Sequence, residues 1–145
     1  MGRTSEFSLI ESFTRGASRG GAGVLLGIGD DCALLAPPPG EALVATVDAI
    51  VEGVHFDARF SPADIGWKAL AVNVSDVASM GARPLWALCA LALPRDADLR
   101  RVARIGGGLA RCADRHGVVL AGGNVTAATE LSLTITVLGA VPPRA

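Results

Sequence analysis

Four aspartates stand where apolar segments end or are interrupted. Asp30 and Asp31 follow the run VLLGIG, and Asp48 follows ALVATV. Asp76 lies among Ala69, Val72, Val77 and Met80, one turn after Asn73, with no Lys or Arg within a turn of it. An unpaired carboxylate in apolar surroundings is costly. One reading satisfies each aspartate with loop amides or helix caps. The other gathers Asp31, Asp48 and Asp76 around divalent metal. Two carboxylates ~4 Å apart repel by about 4 kcal/mol at an effective dielectric of roughly 20, so a cluster requires a cation. Oxygen donors without His or Cys select a hard ion such as magnesium, which bridges carboxylates to phosphate oxygens. That chemistry is nucleotide or phosphoryl chemistry. The chain has no Walker A loop and no protein-kinase signature set, so phosphates would be held through metal.

The scaffold that must position these groups has 145 residues, half of them hydrophobic, which excludes disorder as the main state and fits one ordinary domain. The net charge is −1, Lys68 is the only lysine and Tyr is absent. Without a basic stripe interleaved with aromatics, a nucleic-acid surface is not expected. The longest apolar run, Leu85–Leu93, is closed by Pro84 and Pro94 and falls short of the ~20 residues of a membrane helix. Glu6 and Glu11 interrupt the short apolar N-terminal stretch, so no signal peptide is read there. A soluble cytoplasmic domain is expected. Cys32, Cys89 and Cys112 lack metal-type spacing and read as small core residues in a reducing compartment. With 25 Ala and 18 Gly, much of the core must pack by close backbone approach.

The periodicity predicts a short helix over 5–13 and a mobile loop over 14–23, followed by strands at Val24–Ile28 and Ala42–Val47. A connection then runs from Asp48 to Phe60. Ser61, Pro62 and Asp64 open a helix that runs to Met80 and stops at Gly81. Leu85–Leu93 reads as a strand covered on both faces. Asp96 or Asp98 opens a helix whose apolar positions Leu99, Val102, Ile105, Leu109 and Cys112 recur at helical spacing, ended by Gly117. Gly106–Gly108 inside it is a weak point or a close helix contact. Val118–Ala121 reads as a buried strand, and Leu131–Val137 alternates strictly with Ser132, Thr134 and Thr136. The expected fold class is α/β of the α+β type, a mixed β-sheet with helices packed on one face.

The segments EFSLI (6–10), GIGDDCALL (27–35), VDAIVEGVHF (47–56), KALAVNVSDVASMGARP (68–84) and LAGGNVT (120–126) occur in the order and spacing of the thiamine-monophosphate kinase family. The chain resembles the N-terminal half of that family, within the group that includes aminoimidazole ribonucleotide synthetase. The resemblance implies transfer of the γ-phosphoryl of ATP to thiamine monophosphate, giving thiamine diphosphate, with several magnesium ions. It implies that Asp31, Asp48 and Asp76 hold metal, that Thr46 and Val47 add metal-coordinating oxygens, and that Asp30 and Asn73 support these groups from behind. Val47 stands where the family usually has threonine, so only its carbonyl could serve. His55 matches a substrate-contacting histidine; by itself it would be an ordinary loop residue. Gly123 and Asn124 fall in the nucleotide-binding stretch GGN (122–124), usually GGD; Asn124 keeps one ligand oxygen and loses the charge. The resemblance also implies a homodimer paired sheet to sheet. Residues 1–23 then form an N-terminal helix and loop, and 24–145 the ATP- and magnesium-binding domain. The family's C-terminal domain lies beyond VPPRA, so the chain is either a fragment or a one-domain protein. The alternatives are a sibling ATP-dependent synthetase and a non-catalytic nucleotide-binding or dimerisation module.

Overall fold

The computed structural model describes residues 6–17, 20, 21 and 23–143. Helix α1 (Glu6–Thr14) is followed by a two-stranded hairpin, β1 (Val24–Leu26) and β2 (Leu34–Leu35). Then come β3 (Ala42–Val51), α2 (Pro62–Ser79), β4 (Arg83–Leu93), α3 (Leu99–His116), β5 (Val119–Ala127) and β6 (Ser132–Val141). The main sheet has the order β3-β6-β4-β5, antiparallel except for the parallel pair β4–β5. That pair is joined by α3, as a parallel crossover requires.

Local chemistry fixes both long helices. Ser61 caps α2 by accepting from the Asp64 amide at 3.2 Å, with Pro62 in the first turn. Asp98 caps α3 by accepting from the Arg100 amide at 3.0 Å, and Gly117 closes it in the left-handed region at φ 67°. The helices cover one sheet face, where Leu133, Ile135 and Val137 of β6 are fully buried beside Cys89, Leu91 and Leu93 of β4.

The glycine triplet of α3 is a contact, not a weak point. A Cβ at Gly106 would lie 1.9 Å from the Phe13 carbonyl oxygen of α1, and one at Gly108 would lie 1.9 Å from that of Ala63 in α2. Gly66 returns the contact, since its Cβ would meet the Ile105 carbonyl at 1.9 Å. Three helix backbones therefore touch without side chains between them.

The structure corrects several boundaries. β3 continues to Val51, so Asp48 lies inside a strand and the connection is only 52–61. The first strand stops at Leu26, and its partner β2 has no counterpart in the sequence reading. Of the loop expected over 14–23, Thr14 belongs to α1 and Gly21 lies against Val119, whereas Ser18, Arg19 and Ala22 are outside the described residues. β4 is fully covered only on its helix face; Ala90 on the other face is exposed. Cys89 and Cys112 are buried as expected, but Cys32 is exposed.

Two neighbouring glycines should respond oppositely to alanine. Gly108→Ala should lower stability by about 1–3 kcal/mol, because the clash with Ala63 outweighs the gain in helix propensity. At Gly107 a Cβ would meet only Arg111 Nη1 at 3.9 Å, so Gly107→Ala should stabilise by up to about 1 kcal/mol. Urea unfolding of the three proteins checks both signs.

Candidate functional site

One cavity of about 580 Å³ lies between α1, the loop 28–31 and strands β4 and β5. Phe7, Ile10 and Phe13 form its apolar wall; Asp30, Asp31, Gly122, Gly123 and Asn124 bring polar atoms to it. The Asp30 carboxylate turns back on its own loop, accepting from the Asp31 amide at 2.8 Å. That bond holds the loop and leaves the exposed Asp31 carboxylate with no hydrogen-bond or ion-pair partner among the described residues. The β5 wall is shaped by an irregularity: Ala87 pairs with Leu120 and Leu88 with Gly122, so Ala121 is an extra residue. Such bulges bend an edge strand and re-aim its side chains. Gly123 follows at once, and its first requirement is packing: a Cβ there would lie 1.9 Å from the Cys89 carbonyl oxygen. Glycine at 123 is thus demanded by the sheet as well as available to a ligand.

A second group sits at the other edge of the sheet. Thr46 and Asp48 point from β3 toward α2, and the Thr46 hydroxyl donates to Asp76 Oδ2 at 3.1 Å. Asp76 is exposed, contrary to its apolar appearance in the sequence. The buried polar side chain of that helix is Asn73, fully enclosed, with Nδ2 donating to the Ala69 carbonyl at 3.0 Å and Oδ1 without a partner. Val47, between Thr46 and Asp48, points to the opposite face and is 60% exposed.

The two groups are not adjacent within one chain. Asp48 pairs with Ile135, Ile135 with Cys89, and Cys89 with Gly123, so β3 and β5 are separated by roughly 14 Å, three strand spacings of ~4.8 Å. Asn124 falls in register with Ala90, on the face away from Asp48. Among the described residues no three His, Cys, Asp or Glu side chains lie close enough to share one ion. The chain therefore lines one cavity with Asp31, Gly123 and Asn124, and sets Thr46 against Asp76 with Asp48 on the same face of β3, without joining the two groups. None of Asp30, Asp31, Asp48 or Asp76 has a Lys or Arg partner among the described residues. Exposed, uncompensated and purely oxygen in donor type, they fit a hard divalent cation better than a structural ion pair.

A third feature is the loop after β3. His55 is exposed, with Nδ1 accepting from the Val51 amide at 3.1 Å, while Lys68 Nζ donates to the His55 carbonyl at 2.5 Å. Sequence reasoning gave Lys68 no role, although it is the sole lysine and the first residue of the KALAVN segment. At the loop's end the Arg59 side chain, and then its amide, hydrogen-bond Asp57 and hold that carboxyl down at about 2. Burial pushes the Cys89 thiol up to about 12, so the cysteine in the cavity wall stays protonated and unreactive near neutrality.

Residues 29–141 match the family model described as AIR synthase related protein, N-terminal domain. The chain belongs to that family. This AIR synthase related domain is 46% identical over 116 residues to thiamine-monophosphate kinase of Synechococcus elongatus, covering 79% of the chain and 36% of that protein. It is 42% identical over 137 residues to the Escherichia coli K12 thiamine-monophosphate kinase, covering 94% and 42%. The chain thus spans about two-fifths of the length of such relatives. Among solved structures, thiamine-monophosphate kinase from Stenotrophomonas maltophilia K279a superposes with a TM-score of 0.81 at 45% identity, covering 95% of this chain and 43% of that one. A structure of AaThiL complexed with AMPPCP and TMP gives a TM-score of 0.70 at 34% identity, covering 74% and 35%. The Escherichia coli hydrogenase maturation protein HypE shares the fold, with a TM-score of 0.78 at 20% identity.

Because Asp76 is exposed and asparagine can still accept from Thr46, Asp76→Asn should alter stability by no more than about 0.5 kcal/mol in metal-free buffer. Chemical denaturation checks this. A loss near 2 kcal/mol would make the carboxylate a structural group.

Proposed function

We propose that this domain is the ATP- and magnesium-binding part of a thiamine-monophosphate kinase, which transfers the γ-phosphoryl of ATP to the phosphate of thiamine monophosphate. The observation that carries the reading is the cavity in which Asp31, Gly123 and Asn124 converge beside an apolar wall. Its support is the 40–46% identity to curated kinases such as those of Synechococcus elongatus and Bacillus subtilis. The GIGDD and NVSDVASMGA segments supply an oxygen-only donor set.

Asp31 and Asn124 would hold magnesium at the cavity; Asp48, Asp76 and the oxygens of Thr46 and Val47 would hold it at the β3–α2 edge. Magnesium supplies charge neutralisation along the phosphates. The chain's own contribution is positioning: the Asp30 bond fixes the Asp31 loop, Thr46 orients Asp76, and the bulge at Ala121 sets Gly122–Asn124. Asn73, buried one turn before Asp76, ties back to the Ala69 carbonyl and leaves one oxygen unpartnered. His55 would contact the acceptor substrate. Free cysteines, one of them exposed, suit a reducing cytoplasmic setting, and no helix among the described residues is long and apolar enough to cross a membrane.

We further propose a homodimer formed through the uncovered sheet face. Val47 of β3, 60% exposed there, is in line with Leu88 of β4 across Thr136 of β6, and Leu43, 53% exposed, lies farther along the same edge strand. Exposed apolar side chains on either side of the Thr134 and Thr136 row of β6 favour a partner. Sedimentation velocity at micromolar concentration should show a dimer; a compact monomer would remove this part of the reading.

The whole proposal is tested by incubating the protein with ATP, magnesium and thiamine monophosphate and measuring thiamine diphosphate. Product formation that falls at least ~100-fold in Asp76→Asn is expected, the scale for losing a group that stabilises transferring charge. The separation of the two donor groups within one chain favours a second reading, a non-catalytic nucleotide-binding module. Nucleotide binding without any thiamine diphosphate would select it.

A further inference from the structure

The loop between β3 and α2 is held at more points than a connection needs. Phe56 is buried at its base, 3% exposed, and the Gly53 amide donates to the Phe56 carbonyl at 2.8 Å. Glu52 is ion-paired to Arg101 of α3. The amides of Val54 and His55 both donate to the Val51 carbonyl, at 3.2 and 2.8 Å. From the helix side, Lys68 Nζ lies 5.0 Å from the centre of the Phe60 ring and donates to the His55 carbonyl. What these anchors present to solvent is Val54, 75% exposed, and the His55 imidazole.

The ring's chemistry is fixed by one bond. A backbone N–H can only donate, so His55 Nδ1, which receives the Val51 amide, must carry its lone pair. In the neutral ring the proton then resides on Nε2, pointing outward. The exposed edge of His55 is a hydrogen-bond donor with no acceptor function.

We propose that Lys68 is a positioning residue that holds His55 as its Nε2–H tautomer, so that the loop offers one directed donor to an acceptor oxygen of the phosphorylated substrate. This rests on the reading of His55 as a substrate contact. The ammonium acts on the backbone of residue 55 rather than on the ligand. By gripping that carbonyl from above Phe60, it keeps the ring within reach of the Val51 amide. Without it the His55 carbonyl loses its tie to α2, the Val51–Nδ1 bond opens while the other anchors keep the turn in place, and the imidazole exchanges tautomers as a free side chain does. The same geometry excludes His55 as a general base, because neither ring nitrogen has an available lone pair directed at the substrate.

The test is nitrogen-15 NMR of the two histidines at about pH 8, where an ordinary imidazole is neutral. His116 is identified by its loss in His116→Gln, and thiamine monophosphate binding is measured on the same samples. In the wild type His55 should show separate signals for a bare Nδ1 and a protonated Nε2. In Lys68→Met they should move toward the averaged pattern, with thiamine monophosphate bound roughly tenfold more weakly, the scale of one lost directed hydrogen bond. Lys68→Arg, which keeps a cationic donor over Phe60, should restore both. Should Lys68→Met fail to fold, Phe60→Leu removes only the ring beneath the ammonium and should shift the tautomer pattern in the same direction. An averaged pattern in the wild type, or Lys68→Met and Phe60→Leu with unchanged His55 signals, would overturn the proposal. If the tautomer collapses as expected but the wild type itself binds no thiamine monophosphate, Lys68 keeps its positioning role and the substrate assignment of His55 falls.

Discussion

The contact of three helix backbones at Gly66, Gly106 and Gly108 is the constraint on which the rest of the domain depends. Carbonyl oxygens of Phe13, Ala63 and Ile105 occupy the space where side chains would stand. Helices this close share one thin layer over the sheet, and each position follows from the other two. α1 must lie where its Phe13 meets α3, which makes it the apolar wall of the cavity. α2 must lie where Ala63 and Gly66 meet α3, which sets the turn of helix carrying Asn73 and Asp76 against β3. A chain with 18 glycines and 25 alanines has little large side-chain volume to spend on a core. Close approach with dense packing replaces it.

Against that rigid layer the acidic groups are left electrostatically unfinished. Glu41, Glu52 and Asp57 are all paired with arginine, and all lie away from the cavity. Asp31, Asp48 and Asp76 have no such partner among the described residues. Of the arginines of α3, Arg101 pairs with Glu52 and Arg111 donates to the Gly107 carbonyl, and none reaches these three carboxylates. An arrangement of that kind suits an external divalent ion and a polyanionic ligand. An internal lysine or arginine would neutralise the carboxylates and compete with the ion for them.

Much of this was legible in the sequence because the signals were local. Ser61-Pro62 and Asp98 mark helix starts by side-chain chemistry, Gly81 and Gly117 mark the ends, and the alternation of Leu131–Val137 gives the burial of β6 directly. The misreadings have physical causes. Asp48 looked like the end of a strand because a charged residue broke an apolar run, yet it sits on an edge strand where one flank is open to water. Asp76 looked buried because Val72 and Met80 beside it are apolar; Val72 is only half-buried and Met80 is 53% exposed. The order β3-β6-β4-β5 is a long-range fact that no local pattern carries. It alone shows that Asp48 and Asn124 stand on different strands and opposite faces. Lys68 was invisible for the same reason, since its partner is a main-chain carbonyl thirteen residues back.

If the uncompensated carboxylates hold a divalent cation, the nucleotide binding proposed for this domain depends on that ion. Isothermal titration of a non-hydrolysable ATP analogue into the protein, with magnesium and then with chelator, tests it most directly. Saturable binding in magnesium is expected, with affinity reduced at least ~100-fold without it, since phosphates facing bare carboxylates are repelled. Equal affinity in magnesium and in chelator would contradict it.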